Sequence, residues 1–328
     1  MFGYILKRLG IAVIILFGAS IIIYTIVRMM PADYVDIKFS AQVNMGQITQ
    51  EDITRMKTLY GLEGSIWNGY WRWIFNMLKR DFGMSFIYQK PVVSVIYEKM
   101  QVSFLLSLVA TALQFLVAIP LGIKSATKQY GAMDYTVTIL AMMGISLPSF
   151  FFAALLMKVF SVDLGWLPLQ GLIDATKVIT EGSFAYHWDR FLHLILPMTV
   201  LVVLSIGGLM RYTRTNMLEV LNSDYIRTAR AKGLSERLVI NKHAFRNTLI
   251  PIATLMAGIL PSLFGGAMIT ETVFAIPGIG EAAYKAVIQG DLPFIMAYTM
   301  FGALLSVIGT LMSDLMYAIV DPRVKLVS

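Results

Sequence analysis

The feature that most constrains this chain is the spacing of its charges. Arg8 and Arg28 enclose 19 uncharged residues, Lys99 and Lys124 enclose 24, and Asp134 and Lys158 enclose 23. Arg190 and Arg211 enclose 20, Arg246 and Glu271 enclose 24, and Asp291 and Asp314 enclose 22. Every window is rich in Leu, Ile, Val, Phe, Met and Ala. A helix rises ~1.5 Å per residue and the hydrocarbon core of a bilayer is ~30 Å thick, so about 20 such residues cross it. Six windows of this length predict six transmembrane helices in an all-α membrane protein.

Composition points the same way. The chain is 57% hydrophobic and only 14% charged, which excludes a disordered chain and leaves too little charge for an ordinary water-soluble globule. The first window follows Lys7 and Arg8, as the apolar run of a signal peptide would. It exceeds the usual ~7–15 residues and no A-x-A pattern precedes Pro31, so it reads as a retained anchor.

The net charge of +7 has to be located before it is interpreted. With six spans both termini share one side, and the short segments of that side hold 14 Lys and Arg residues. Eight of these lie between Arg211 and Arg246, whereas the short loops of the opposite side hold few, among them Lys177, Arg190 and Lys285. Basic residues in short loops stay cytoplasmic, so both termini are expected inside the plasma membrane of a prokaryote. The positive charge is thus an orientation signal, and no nucleic-acid partner is expected. With no Cys there is no disulfide or thiolate chemistry, and the redox compartment cannot be read.

The chain divides into an N-terminal segment with the first span (1–30), an outer segment (31–99), a core of five spans (100–320) and a short inner tail (321–328). In the outer segment Met45 to Tyr60 and Ser65 to Arg80 read as short helices. The second carries Trp67, Tyr70, Trp71, Trp73 and Phe75, aromatics suited to the membrane–water interface, so it is expected to lie on the outer membrane face. Spans two to five each contain a proline: Pro120, Pro148, Pro197 and Pro261. Pro148 and Pro261 fall near the middle of their windows and are candidate kinks or hinges. Gln114, Ser146, Ser149 and Ser205 are the main polar residues near mid-span. Gln114, Ser146 and Ser149 are therefore candidates to line a pore.

Enzymatic chemistry finds little support. There is no G-x-x-x-x-G-K-[ST], so no nucleotide phosphate can be cradled by a P-loop. Gly278, Gly280 and Ala283 fit G-x-G-x-x-A but follow Pro277 in a loop rather than a strand. Asp81-Phe82-Gly83 is a chance kinase-like tripeptide, and His187, His193 and His243 form no metal-binding pattern. No catalytic, cofactor or metal residue is expected in this chain.

The informative stretch is the inner loop 211–250. Ser223 or Asp224 can cap a short helix whose last turn holds Arg230 and Lys232, and Gly233 supplies a left-handed stop. Ser235 can cap a second helix running towards Arg246. Tyr225, Ile226 and Ala229 share one face of the first helix, and Arg227 and Arg230 share another. The pattern is a helix–glycine–helix elbow whose small face suits docking, or else a solvated loop whose charge only fixes topology.

D-Y-I-R-T-A-R-A-K-G-L-S-E-R (Asp224 to Arg237) followed by H-A-F-R-N-T-L-I-P (His243 to Pro251) resembles the cytoplasmic coupling motif of ABC importer permeases, in the form of the oligopeptide/dipeptide branch. E-T-V-F-A-I-P-G-I-G (Glu271 to Gly280), D-P-R-V (Asp321 to Val324), Y-I-L-K-R-L (Tyr4 to Leu9), and the outer Y-G-L (Tyr60 to Leu62) and D-F-G-M-S (Asp81 to Ser85) are similar too. Arg227, Thr228 and Ala229 stand where the general importer motif has E-A-A. The resemblance implies a type I ABC importer transmembrane fold and a permease that forms half of a channel for peptides. A second homologous permease subunit would complete the channel. Two cytoplasmic ATPase subunits would carry ATP and magnesium, and an extracellular binding protein would deliver substrate. Asp224, Tyr225, Arg227, Thr228, Ala229, Arg230, Ala231 and Gly233 would make the ATPase-coupling surface. Members of this branch also carry nickel, opines, glutathione or sugars. A self-contained secondary transporter, which needs ion-coupling carboxylates near the midplane, and a non-transporting scaffold are the rival readings.

Overall fold

The computed structural model describes residues 2–45, 47–59, 64–176 and 180–320. Tyr60, Gly61, Leu62, Lys177 and the tail 321–328 with its D-P-R-V motif lie outside the described residues, as does the side chain of Asp314. In chain order the helices are α1 (Phe2–Arg28), α2 (Tyr34–Asn44), α3 (Gln50–Leu59), α4 (Ile66–Leu78), α5 (Val92–Thr127), α6 (Ala132–Ser146) and α7 (Ser149–Leu156). They continue with α8 (Phe184–Leu221), α9 (Asp224–Ala231), α10 (Glu236–Leu238), α11 (Phe245–Gly265), α12 (Met268–Val273), α13 (Ile279–Gln289) and α14 (Leu292–Val320). Among the described residues only an isolated bridge between Met84 and Pro91 departs from helix and loop.

Among the described residues four helices, α1, α5, α8 and α14, are long and apolar enough to cross a membrane, and α6 with α7 forms a bent pair that would make a fifth. The remaining charge-free window falls on α11, whose 21 residues reach roughly 31 Å. Leu16, Phe17, Leu116 and many other large apolar side chains of these helices are wholly or partly uncovered, as lipid-facing or subunit-facing surfaces require.

Two spans differ from the sequence expectation. The third is not one helix kinked at Pro148 but two helices at 104°. Proline disfavours the helical conformation at the residue before it, and Leu147 is extended at φ −82°, ψ 127°. Pro148 then starts α7, which runs into a π-helical turn over Met157–Asp163. The fifth window is likewise divided. α11 ends at Gly265, Gly266 takes φ 75°, and Glu271 belongs to the separate helix α12. Pro261 therefore lies four residues from the end of α11, inside continuous helix, rather than near the middle of a span.

The bundle is organised around α5 and α8, which pack together, and α6 packs on α8 as well, sharing a core with both through Ala118, Ala141, Leu209 and Met210. Close approach is possible because Gly207 has no side chain: a Cβ there would lie 2.5 Å from the Ala141 carbonyl oxygen. At one end Leu106, Ala153, Leu196, Val200, Phe274 and Ile276 form a core shared by α5, α7, α8 and the segment after α12. α1, α4, α13 and the start of α14 share a second core containing Tyr24, Tyr70, Ile279 and Phe294.

Among the described residues the segment 31–99 holds three helices before α5, where the sequence predicts two. Tyr34–Asn44 was not anticipated, Met45 is a turn, and the following helix is Gln50–Leu59. Lys57 joins α3 to the start of α2 through Asp33 at 3.1 Å and Asp36 at 2.7 Å. α4 sits on α1 through Tyr70, whose hydroxyl is 2.9 Å from the Ser20 hydroxyl. Its other face leaves Trp67, Trp71, Phe75 and Leu78 exposed, a stripe at helical spacing with the aromatic character expected at a membrane surface.

Candidate coupling elbow

Helix α9 is preceded by Ser223 at the N-cap position, but the Ser223 hydroxyl donates to the Val220 carbonyl at 2.6 Å instead of capping. The helix stops as its sequence requires. Lys232 is the C-cap and Gly233 follows at φ 76°, a left-handed conformation that disfavours side chains. The second arm begins at α10, passes through a π-helical turn over Val239–Ala244 and continues directly into α11. Ser235 stands at its N-cap position without a side-chain cap.

The faces of α9 are assigned differently from the sequence expectation. Ile226 and Ala229 are buried against Met217 of α8, Ala126 of α5, and Val239 and Ala244 of the second arm. Ala229 is thus committed to its own chain, and the small face that suggested docking is the seat of the elbow. Ile226, Ala229 and Val239 pack there because burying apolar surface at these helix ends removes it from water. The outward face is made by Asp224, Tyr225, Arg227, Thr228, Arg230 and Ala231, all exposed. Tyr225 leaves the Ile226/Ala229 face and joins this surface, with 47% of its area uncovered.

Two polar links stiffen the elbow. Arg230 spans the glycine to reach Glu236 with Nη2–Oε1 at 2.7 Å and Nε–Oε2 at 3.1 Å. That guanidinium holds the Glu236 carboxyl below its ordinary range. Above the elbow, Arg214 makes two hydrogen bonds of 2.8 Å to Asp134. Asp134 also accepts from the Tyr130 amide at 3.0 Å and from Ser125 Oγ. This buried cluster fastens the ends of α5, α6 and α8 beside the elbow. Sequence reading used Asp134 only as the edge of a window and missed it.

The candidate pore residues do not converge on one polar site. Gln114 Nε2 donates to the Ser205 carbonyl at 3.0 Å, tying α5 to α8. Ser146 donates to the Met142 carbonyl within α6 at 2.8 Å, and half-buried Ser149 opens α7 across the bend.

A second centre escaped sequence reading. Glu271 is fully buried, and both carboxyl oxygens are occupied. Oε1 accepts from Ser103 Oγ at 2.7 Å and from the Ala267 amide at 2.9 Å. Oε2 accepts from the amides of Gly280 at 2.8 Å and Glu281 at 3.1 Å. Ser103 also accepts from the Ile279 amide at 2.8 Å. One side chain thereby pins the Ala275–Gly280 turn and the start of α13 onto α5.

Residues 118–326 match the family described as binding-protein-dependent transport system inner membrane component, and residues 1–109 match the N-terminal family of such membrane components. The chain is 39% identical over 326 residues to the oligopeptide transport system permease protein AppB of Bacillus subtilis, covering 99% of this chain and 100% of that protein. It is 33% identical to the dipeptide transport system permease protein DppB of Alkalihalophilus pseudofirmus, covering 99% and 100%. The chain belongs to the binding-protein-dependent transport permeases. The solved MetNI methionine ABC transporter in an inward-facing form matches with a TM-score of 0.54 at 15% identity, covering 70% of this chain and 97% of that one, which establishes a shared fold. The permease family is a multi-pass membrane component of ABC transport systems, and membership sets aside the secondary-transporter and scaffold readings.

Proposed function

We propose that this permease imports peptides as one half of an ATP-driven channel, with both termini in the cytoplasm of a prokaryotic cell. A second homologous permease subunit completes the channel, and an extracellular binding protein delivers the peptide. Two cytoplasmic ABC ATPase subunits bind ATP and magnesium, so this chain binds no cofactor and catalyses nothing itself. Support for peptides comes from the relatives named as oligopeptide and dipeptide permeases across the whole chain.

The observation that carries the coupling role is the two-faced helix α9. Its apolar side is seated on its own spans, while Asp224, Tyr225, Arg227, Thr228, Arg230 and Ala231 point outward with no span to cover them. These residues dock the ATPase, with Gly233 setting the angle of the elbow and Ala229 supporting it from behind. Pro148 serves as a break point where a span rearranges, Pro261 stays within continuous helix, and Gln114, Ser146 and Ser149 line the passage. Purification of the complex from native membranes tests this reading. Co-purification of a second permease and two ATPase chains, with ATP-dependent peptide uptake in proteoliposomes, is the expected result. A permease that purifies alone and transports without ATP would overturn it.

A further inference from the structure

Between α5 and α8 runs an apolar groove of about 600 Å³. It extends from Val102 and Arg190 at one end to Val117 and Val203 at the other. Of its 15 lining residues 13 are apolar, and Thr199 has its hydroxyl spent on the Ile195 carbonyl at 2.8 Å. Arg190 is therefore the one cation on an otherwise greasy wall. It is half-buried, and it has no ion-pair or side-chain hydrogen-bond partner among the described residues. Its neighbour Asp189 does not neutralise it by pairing: that carboxylate accepts from the Asp174 amide at 2.8 Å and lies 3.4 Å from His193 Nδ1.

A guanidinium without a partner on an apolar wall gains most from a planar carboxylate that it can grip with two N–H groups. Peptides of unlike sequence share only their backbone and their termini. A conduit that accepts many of them can hold a terminus specifically while apolar walls tolerate any side chain. We infer that Arg190 receives the C-terminal carboxylate of the incoming peptide and that the α5–α8 groove takes its last side chains. This rests on the peptide reading above and names the group by which the permease recognises its cargo.

The test uses the complete transporter with its binding protein in proteoliposomes. Initial uptake is measured for radiolabelled trialanine and penta-alanine, each as free acid and as C-terminal amide, with Arg190→Gln and Arg190→Lys beside the parent. Loss of one charge-assisted contact predicts a fall of about tenfold for the free acids in Arg190→Gln, with partial recovery in Arg190→Lys. Amide uptake, expressed relative to the parent, should be unchanged. Equal falls for acids and amides, no fall for either, or a Lys variant as defective as Gln would overturn the assignment. Should the parent refuse amides, the Lys-against-Gln comparison decides alone. Loss of the second permease on purification of Arg190→Gln would make the groove a subunit interface and also overturn it. Failure of the parent to import any of these peptides would instead overturn the peptide reading itself, and the Arg190 assignment with it.

Discussion

Ser103 donates its hydroxyl hydrogen to Glu271 Oε1 at 2.7 Å while accepting the Ile279 amide hydrogen at 2.8 Å, so a single hydroxyl on α5 holds groups on both sides of the Ala275–Gly280 turn. All four protein groups facing the Glu271 carboxyl are donors. Glutamine at 271 would present an amide NH2 to two of them whichever way it flips. Each buried donor left unsatisfied costs about 1–3 kcal/mol. Glu271→Gln should lower the Tm of the purified complex clearly, and Ser103→Ala should do so by less. A Glu271→Gln complex melting with the parent would refute the pinning role.

The two faces of α9 should fail in different ways. Ile226→Ala removes a fully buried side chain, a change that typically costs about 2–5 kcal/mol, so the permease should accumulate poorly in membranes. Ala229→Trp should behave likewise, since it overfills the packing against Met217. Thr228→Trp and Ala231→Trp lie outward and should leave membrane levels normal while the ATPase no longer co-purifies. Membrane immunoblots and ATPase pull-down separate the classes, and a reversed pattern would show that the faces are assigned wrongly.

At Gly233 a β-branched residue meets the left-handed penalty, on the order of 1–2 kcal/mol. Gly233→Val should retain the ATPase yet lose most uptake, because the elbow angle changes. The Arg230–Glu236 brace is exposed, and such pairs contribute only ~0.2–1 kcal/mol. Glu236→Gln should therefore reduce uptake mildly. Since the Glu236 carboxyl is held below its ordinary range, the brace is present at neutral pH and is lost as pH falls through that lowered value. The mild defect of Glu236→Gln should vanish in strongly acidic buffer on the elbow side, where the parent loses the same link. Persistence of the full difference there would argue against the brace.

Pro148→Ala restores the missing N–H and frees Leu147 to become helical, which favours joining α6 to α7. Uptake should drop severely with assembly intact. Pro261→Ala, inside the last turns of a helix that is already continuous, should be mild. Equal severity in the two variants would mean that the 104° break carries no special role.

Topology can be read by labelling. The chain has no native Cys, so single cysteines report without background. Cysteines at Gly131 and Ser235 should label only from the cytoplasm, and one at Thr176 only from outside. Labelling of Ser235→Cys from outside intact cells would invert the orientation.

Span positions could be read from the sequence because leaving a charge in hydrocarbon is expensive, so Arg8, Arg28 and Lys124 mark span ends. Gly233 was readable because a left-handed stop is a local property of one residue. The seat of Ala229 was not, since a small side chain carries no polarity to tell a partner's surface from its own. Leu147-Pro148 announces an interruption, but whether it becomes a kink or a corner depends on what α7 packs against. Glu271 was hidden by the window method itself, which assumes that a charged residue sits in water. Here four hydrogen-bond donors replace that water. Tyr34–Asn44 has no clear apolar face and is held by contacts remote in sequence, such as Lys57 with Asp36.

The second arm of the elbow has a mechanical consequence. From Glu236 to Gly265 the backbone winds as one rod of 30 residues, through a π turn and two prolines without a break. Its length is roughly 45 Å, so a 10° tilt at the inner end would sweep the outer end through about 8 Å. That outer end adjoins Ala267, whose amide is one of the four donors on Glu271. A movement of the elbow would therefore be felt, along one continuous helix, at the turn that Glu271 pins.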